Sequence, residues 1–417
     1  MSTAKTAPAP HAATASSALR PLVEGAVPHV TAIRRDLHRH PELMFEERRT
    51  SAVVCRELEA LGIEHKAGLA GGTGVLGFLP ATRAPDSARR PPTRTVALRA
   101  DMDALPIEEQ TGAPHASTVR GVMHACGHDG HTSILLGAAR VLSQLPDRPH
   151  HVMFIFQPAE EGGAGGEKMC RDGALAGSVL GTKVDVIYGL HGWPELPLGH
   201  VATRSGPLLA STDDFIVTIR GRGGHAAYPH LCIDPVVVAA HVITALQTIA
   251  SRRVNPVDAV VVTVADLRAG SHANNIIADS ATFNGTIRTL RDDTRALAEQ
   301  EFKKIVAGVC ESLGARAEIE WHVGYPSTRN DEGATERFRR IARETLGPQR
   351  YQEREHPTMG GEDFSFYGRH VPACFFFLGL KPEGGACPGL HTPKFDFNDA
   401  ALPTGIEMMC RLATESL

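Results

Sequence analysis

The stretch HTSILLGAARVLSQLPDRPHHVMFIFQPAEE, residues 131–161, decides how this chain folds. Its first half carries apolar residues at helical spacing, Pro146 and Asp147 interrupt it, and HVMFIF is then an apolar run of strand length closed by Gln157-Pro158. A helix followed by an apolar strand is one step of a sheet covered by helices. Working outward, TGVLGFL (73–79), TVALRA (95–100) and VDVIYGL (184–190) repeat the strand half of that step, bounded by Gly, Pro or Asp. Upstream, VTAIRRDLHRHPEL (30–43) and FEERRTSAVVCRELEALG (45–62) have helical spacing, the second stopped by Gly62 as a C-cap would stop it. The alternation predicts an α/β fold with a mostly parallel sheet. Chemistry in such sheets gathers at the carboxyl ends of strands, where Asp101, Asp103, Glu160, Glu161 and His191 fall.

At 417 residues, 42% hydrophobic with 41 Gly and 28 Pro, the chain is too long for one ordinary core and predicts two domains, one inserted in the other. The texture changes near Ser211. DDFIVTIRGRGG alternates like a half-exposed strand, and Asp234 then caps a helix that Pro235 opens. AVVVTVADLRAG, SATFNGTIRTL, a helix through RALAEQEFKKIVAGVCESLG and the strand RAEIEWHVGYP complete a β-α-β-β-α-β order, the ferredoxin-like pattern. This block, 209–325, is the expected insertion; 21–208 and 326–417 form the larger domain, and 1–20, rich in Ala, Pro and Ser, is expected to be a disordered tail.

A formal charge of -4 without a run of five like charges supports neither a nucleic-acid footprint nor a polybasic membrane patch, so the expected partner is a small molecule. No apolar span of about 18 residues stands out, and the start lacks a hydrophobic signal core, so no membrane association is expected. Eight scattered Cys point to reduced thiols and a cytoplasmic location. The 21 His are roughly twice an ordinary share, which points to metal.

In MHACGHDGH (123–131), His124, Cys126, His128 and His131 crowd the approach to a helix; thiolate and neutral imidazole suit Zn, Co, Ni or Mn. Glu160-Glu161 would ordinarily be solvated acids, but here they leave an apolar strand and enter GGAGG, where one can ligate and its neighbour can take a proton from water. His191 in YGLHGWP and His391 in GLHTPKFDFND would singly be structural; beside the other donors they read as ligands. Asp101 and Asp103 serve either as turn formers or to orient a ligand His. His225 in GRGGHAAYPH is either a turn histidine or a donor to an oxyanion. Asn275 and Arg288 are either strand-edge residues or a grip on a substrate carboxylate.

DLHRHPEL, ALRADMDALP, MHACGHDGHTSILLGAA, FQPAEEGGAGGEKM, GLHGWP, GRGGHAAYP, NGTIRTL, GGEDFSFY and LHTPKFDFND together resemble the hippurate hydrolase, N-acyl-amino-acid amidohydrolase and auxin-conjugate hydrolase group of the aminoacylase and carboxypeptidase metallopeptidases, from Val30 to Asp399. The resemblance implies a catalytic domain with two divalent ions per subunit, held by Cys126, His128, Glu161, His191 and His391. It implies Glu160 as general base and then acid, and an inserted lid that forms a homodimer or higher homo-oligomer and supplies His225 to the partner subunit's site. Asn275 and Arg288 fall at substrate contacts. The implied activity is hydrolysis of the amide of N-acyl amino acids such as hippurate or N-acetyl amino acids. A dipeptidase or carboxypeptidase of the same chemistry, a cysteine hydrolase built on Cys126, and a non-catalytic metal-binding scaffold stay open. Ala278, His272 and Gly361 depart from the family pattern near presumed substrate contacts and bear on preference.

Overall fold

The computed structural model describes residues 11–82, 93–270 and 273–415, with the backbone alone over 11–18. The chain forms two compact units: Met1–Gly206 with Asn330–Glu355 and Phe366–Leu417, and Pro207–Arg329 with His356–Ser365. The return of 356–365 to the second unit, in the middle of the GGEDFSFY region, has no signal in the sequence.

In the first unit, α1 (His11–Arg39) and α2 (Arg48–Ala60) precede β1 (Glu64–Leu69), β2 (Gly74–Leu79), β3 (Thr95–Asp101), α3 (His128–Gln144), β4 (His151–Gln157), α4 (Gly165–Arg171), β5 (Val186–Pro197) and β6 (Val201–Thr203). The chain crosses over through β7 (Gly206–Leu209). The second unit holds β8 (Ser211–Arg220), β9 (Gly224–His225), α5 (Pro235–Leu246), β10 (Val260–Ala269), β11 (Ile276–Ile277), β12 (Ser280–Thr289), α6 (Asp292–Ser312) and β13 (Arg316–Val323). β14 (Thr328–Asn330) leads back to α7 (Glu332–Leu346), β15 (Tyr351–Glu353), β16 (Ala373–Lys381) and α8 (Leu402–Thr414).

The large sheet runs β1-β2-β4-β3-β5-β16-β6-β15. Only its centre, β4-β3-β5-β16, is continuously parallel; β1 with β2, β2 with β4, and β16 with β6 are antiparallel. The tight turn between β1 and β2 forces that hairpin to be antiparallel, because parallel neighbours need a long crossover. β2, β3 and β4 are buried on both faces, as strands under helices must be. α1, α3 and α8 pack together, with Val30, Ile134, Ile406 and Met409 in one core.

Part of the segment expected as a tail, from His11 on, is helix. α1 already begins at His11, and Leu19 is buried in the core, which is what holds that turn in place. Residues 1–10 of that expectation lie outside the described residues.

In the second unit, β10-β12-β8-β13 is an antiparallel sheet whose core of Phe215, Val217, Phe283, Phe302 and Val306 is closed by α5 and α6. Burial alternates along β8, and the Asp234 side chain accepts the Val236 amide at 2.9 Å to cap α5. One run here, Pro235–Arg253, is long and apolar enough to cross a membrane by length and composition, where no such span was expected. Val238, Val242, Leu246 and Ile249 of that run pack into the unit's own core, which accounts for its apolar character.

Candidate metal centre

Three strand segments and one helix start bring the acidic, thiol and imidazole side chains of the first unit together. β3 ends at Asp101, with Asp103 two residues beyond; Glu160 and Glu161 follow β4; Cys126 and His128 stand at the start of α3. His191 lies inside β5, opposite Phe377 of β16, and not at the strand end that the sequence suggested, because β5 continues as far as Pro197. Gly127, at φ 92°, turns the chain into α3 in a conformation that a residue with a Cβ resists. Gly130 leaves room for Phe397, whose ring a Cβ there would meet at 2.5 Å. These contacts bring the 391–399 segment against the start of α3, and the His391 amide donates to Ala125 O at 2.8 Å.

The ring nitrogens sort themselves by their partners. His128 Nδ1 lies 2.9 Å from the carbonyl of Asp103, and His191 Nδ1 lies 2.8 Å from the carbonyl of Gly192. A carbonyl only accepts, so both Nδ1 atoms carry a proton and the Nε2 atoms are the ones left to meet a cation. His128 Nε2 is buried without a hydrogen-bond partner, and His191 Nε2 stands 3.3 Å from Cys126 Sγ. His391 Nε2 is likewise 3.3 Å from that sulfur and 3.0 Å from Glu161 Oε1. Donor atoms within 4.8 Å of one another form the sets Cys126, His128, His191 and Cys126, Glu161, His391, with Cys126 common to both; His128, Glu160 and Glu161 form a third.

Asp103 joins the parts. Its carboxylate accepts the amides of Glu160 at 3.0 Å and Glu161 at 2.9 Å and lies 3.2 Å from His128 Nδ1. Asp101 accepts from His131 Nδ1 at 2.7 Å, while His131 Nε2 accepts the Gly192 amide at 2.8 Å. His131 thus ties Asp101 to the backbone beside His191. Its place in the His-rich motif marked it only as metal-capable. Glu47 takes the Ala159 amide at 2.9 Å and the Thr73 hydroxyl at 2.7 Å, and Ala159, immediately before Glu160, has φ 53°. No sequence pattern marked Glu47, because its partners lie far along the chain.

Electrostatics at the site call for a cation. Burial, followed by the carboxylates of Glu161, Glu160 and Asp101, pushes the Cys126 thiol well above its ordinary range. Burial also opposes charge on His128, yet Asp101 and Asp103 outweigh it and raise its pKa to about 10. Burial, with His131 beside it, holds His191 far below its usual range and therefore neutral. A divalent cation would take the place of the extra proton on His128 and allow the thiol to ionise. The donor set of thiol, imidazole and carboxylate, with the orphaned His128 Nε2 among them, fits Zn, Mn, Co or Ni.

The remaining candidates lie in the second unit. His225 is exposed on β9 opposite Ile276 of β11, and the Ala226 amide donates to Asn275 O at 2.9 Å, so His225 and Asn275 lie on adjoining segments. Arg288 is apart from them on β12, opposite Thr212, with Nε donating to Thr286 Oγ1 at 3.0 Å. A Cβ on Gly361 would stand 2.3 Å from Thr212 Cγ2 and 3.4 Å from Arg288 Nη1. Ala278 is half-buried just beyond β11; His272 lies outside the described residues.

A sequence model of Peptidase family M20/M25/M40 matches residues 97–415. N-acetyl-L-cysteine deacetylase of Bacillus subtilis is 39% identical over 89% of this chain and 84% of its own length. IAA-amino acid hydrolase ILR1-like 4 of Arabidopsis thaliana is 38% identical over 93% of this chain and 86% of its own. Among solved structures, the Bacillus subtilis YXEP protein, described as a dinuclear metal binding peptidase, superposes with a TM-score of 0.77 at 34% identity, covering 94% of this chain and 98% of that one.

Proposed function

We propose a function that proceeds from one premise: the chain belongs to Peptidase family M20/M25/M40, and is a hydrolase acting on amide bonds. In our reading its substrate is a small N-acyl amino acid, cleaved to a free amino acid and a carboxylic acid. The relatives named for N-acetylcysteine and for IAA-amino acids support that class. The observation that carries the mechanism is the pair Glu160-Glu161 beside two imidazoles and a thiol, with one carboxylate in the donor set and its neighbour adjacent.

In this reading Cys126, His128, Glu161, His191 and His391 hold two divalent ions, the sulfur of Cys126 being common to both donor sets. Ions held there would supply Lewis-acid polarisation of the amide carbonyl and a water nucleophile near neutral pH. Glu160 takes the proton from the attacking water and hands it to the leaving nitrogen. Asp103 fixes Glu160 and Glu161 by their amides and orients His128; Asp101 acts through His131. A nucleophilic Cys126 is disfavoured, since burial and then the neighbouring carboxylates suppress its ionisation instead of promoting it.

The second unit, ferredoxin-like in its β-α-β-β-α-β order, serves as lid and dimerisation domain. The exposed Val236 and Val237 on α5 supply an apolar face for a second copy. His225 donates to the oxyanion in the partner subunit's site, and Asn275 and Arg288 grip the substrate carboxylate. Gly361 leaves Thr212 and Arg288 undisplaced, which bears on acyl and amino-acid preference. Eight cysteines without a disulfide favour a cytoplasmic location.

The test is hydrolysis of N-acetyl, N-benzoyl and N-indoleacetyl amino acids and of dipeptides by metal-analysed enzyme, with and without chelator and added Zn, Mn or Co. Metal-dependent release of an amino acid is expected; cleavage of dipeptides alone would make it a dipeptidase, and full metal occupancy without turnover would leave a binding scaffold. Mixing an inactive Glu160 variant with an inactive His225 variant is expected to restore some activity through mixed dimers. No recovery would place His225 in its own subunit's site.

A further inference from the structure

The RRDLHRHPEL segment (34–43) takes no part in the chemistry above, yet two of its residues lie in a buried charge cluster. Arg34 and His38 stand four residues apart on α1, hence on one face, and both are fully buried. A guanidinium inside a protein is tolerated only when anions and hydrogen bonds surround it. Arg34 Nε lies 2.9 Å from Asp129 Oδ2, Nη2 donates to Asp396, Nη1 lies 3.4 Å from Asp399 Oδ1, and Nη1 is 2.9 Å from His115 Nε2. His38 adds a second hold on Asp129, Nδ1 to Oδ2 at 2.8 Å, and leans on Glu109 through Nε2 at 3.4 Å.

What these anions are attached to gives the cluster its meaning. Asp129 follows His128 directly, in the first turn of α3. Asp396 and Asp399 lie on the segment that begins at His391, a residue whose φ of 59° is unusual for anything but Gly. One planar fork therefore ties the α3 start, which carries Cys126 and His128, to the loop that carries His391. The two are remote in sequence, and the fork adds to the His391 amide on Ala125 O, the approach of His391 Nε2 to Cys126 Sγ and the Phe397 ring against Gly130 and His131.

We propose that Arg34, seconded by His38, is a positioning residue that sets the spacing between the α3 ligands and His391, and so the affinity for the ion of the Cys126, Glu161, His391 set. It touches neither ion nor substrate. The inference rests on the two-ion reading above. Lysine keeps the charge but has no fork, and cannot reach Asp129, Asp396 and Asp399 together.

The experiment titrates the metal-free full-length chain with Co²⁺, following the visible ligand-field bands and the thiolate-to-cobalt band, for wild type, Arg34→Lys and Asp399→Asn. Asp399→Asn, at a side chain 21% exposed, removes the anion facing Arg34 Nη1 together with its pair to the exposed Arg35, and serves as a second variant should Arg34→Lys not fold. Wild type is expected to take up two ions, and the variants to bind one of them about 10–100-fold more weakly with altered bands, activity returning at excess ion. Unchanged affinities and spectra for both ions, with only a lower Tm of the metal-free protein, would reduce the cluster to a structural role and overturn the inference. A wild-type chain that takes up no ion would overturn the metal reading itself, and this inference with it.

Discussion

Glu160 is placed by its backbone. Its amide is held by Asp103, and the residue before it, Ala159, is kept at φ 53° by the Glu47 carboxylate on its amide. Because these holds act on the main chain, Glu160→Gln should preserve the site and remove only the proton transfer. The expected loss is about 10²–10⁴-fold in kcat with metal content unchanged, measured by steady-state kinetics beside metal analysis. A kcat equal to wild type would take Glu160 out of the mechanism. The two adjacent acids were legible in the sequence because they leave an apolar strand for a glycine-rich turn that no surface helix could use. Glu47 was not, since what makes it useful is an amide more than a hundred residues away.

The start of α3 depends on small residues. Gly130 faces the buried Phe397, and an added methyl would lie 2.5 Å from its ring. In a helix, Gly→Ala ordinarily gains about 1 kcal/mol. Here overpacking opposes it at about 1–3 kcal/mol, since neither the ring nor the helix has room to yield. Gly130→Ala is therefore expected to lower the urea midpoint and to weaken ion uptake, because the displaced ring belongs to the His391 segment. A variant as stable as wild type with normal metal uptake would show that the segment yields freely. Caps and stops at this scale were readable: Asp234 caps α5, and Gly62 ends α2 at φ 67°. The direction of the outer strands was not, because an apolar run looks the same whichever way its neighbour points.

Each of the two units has its own hydrophobic core, and the buried His-rich cluster belongs to the first. Burial opposes charge on His38, but Asp129 prevails and raises its pKa to about 9 from an ordinary 6.5. Its contribution to stability is complete below pH 6.5 and is lost as pH rises through about 9. In the metal-free chain His128, at about 10, adds to the same alkaline limb. Burial likewise resists ionisation of Glu109, but the His38 and Thr111 hydrogen bonds bring its pKa down to about 2 from 4.5, so its contribution is lost as pH falls through that interval. His191, held neutral by burial, costs stability as pH falls below its ordinary 6.5, so urea midpoints of the metal-free protein should peak near pH 6.5 and fall on both sides. His38→Gln should flatten the alkaline limb; an unaltered limb would show that His38 is not charged in the folded chain.

By itself the sequence determined the elements whose cause is local: helices and strands written in apolar period, caps written in Asp and Gly, and the density of His, Cys and Glu that announced a metal centre. It also determined family membership, since several motifs occur in one order along most of the chain. Only the tertiary structure decided which donors meet. His391 reaches Cys126 and Glu161, His131 ties Asp101 to the backbone beside His191, and Arg34 joins α3 to the 391–399 segment. The reason is physical: period and capping are properties of neighbours along the chain, whereas these contacts form only when the sheet has brought distant segments to one edge.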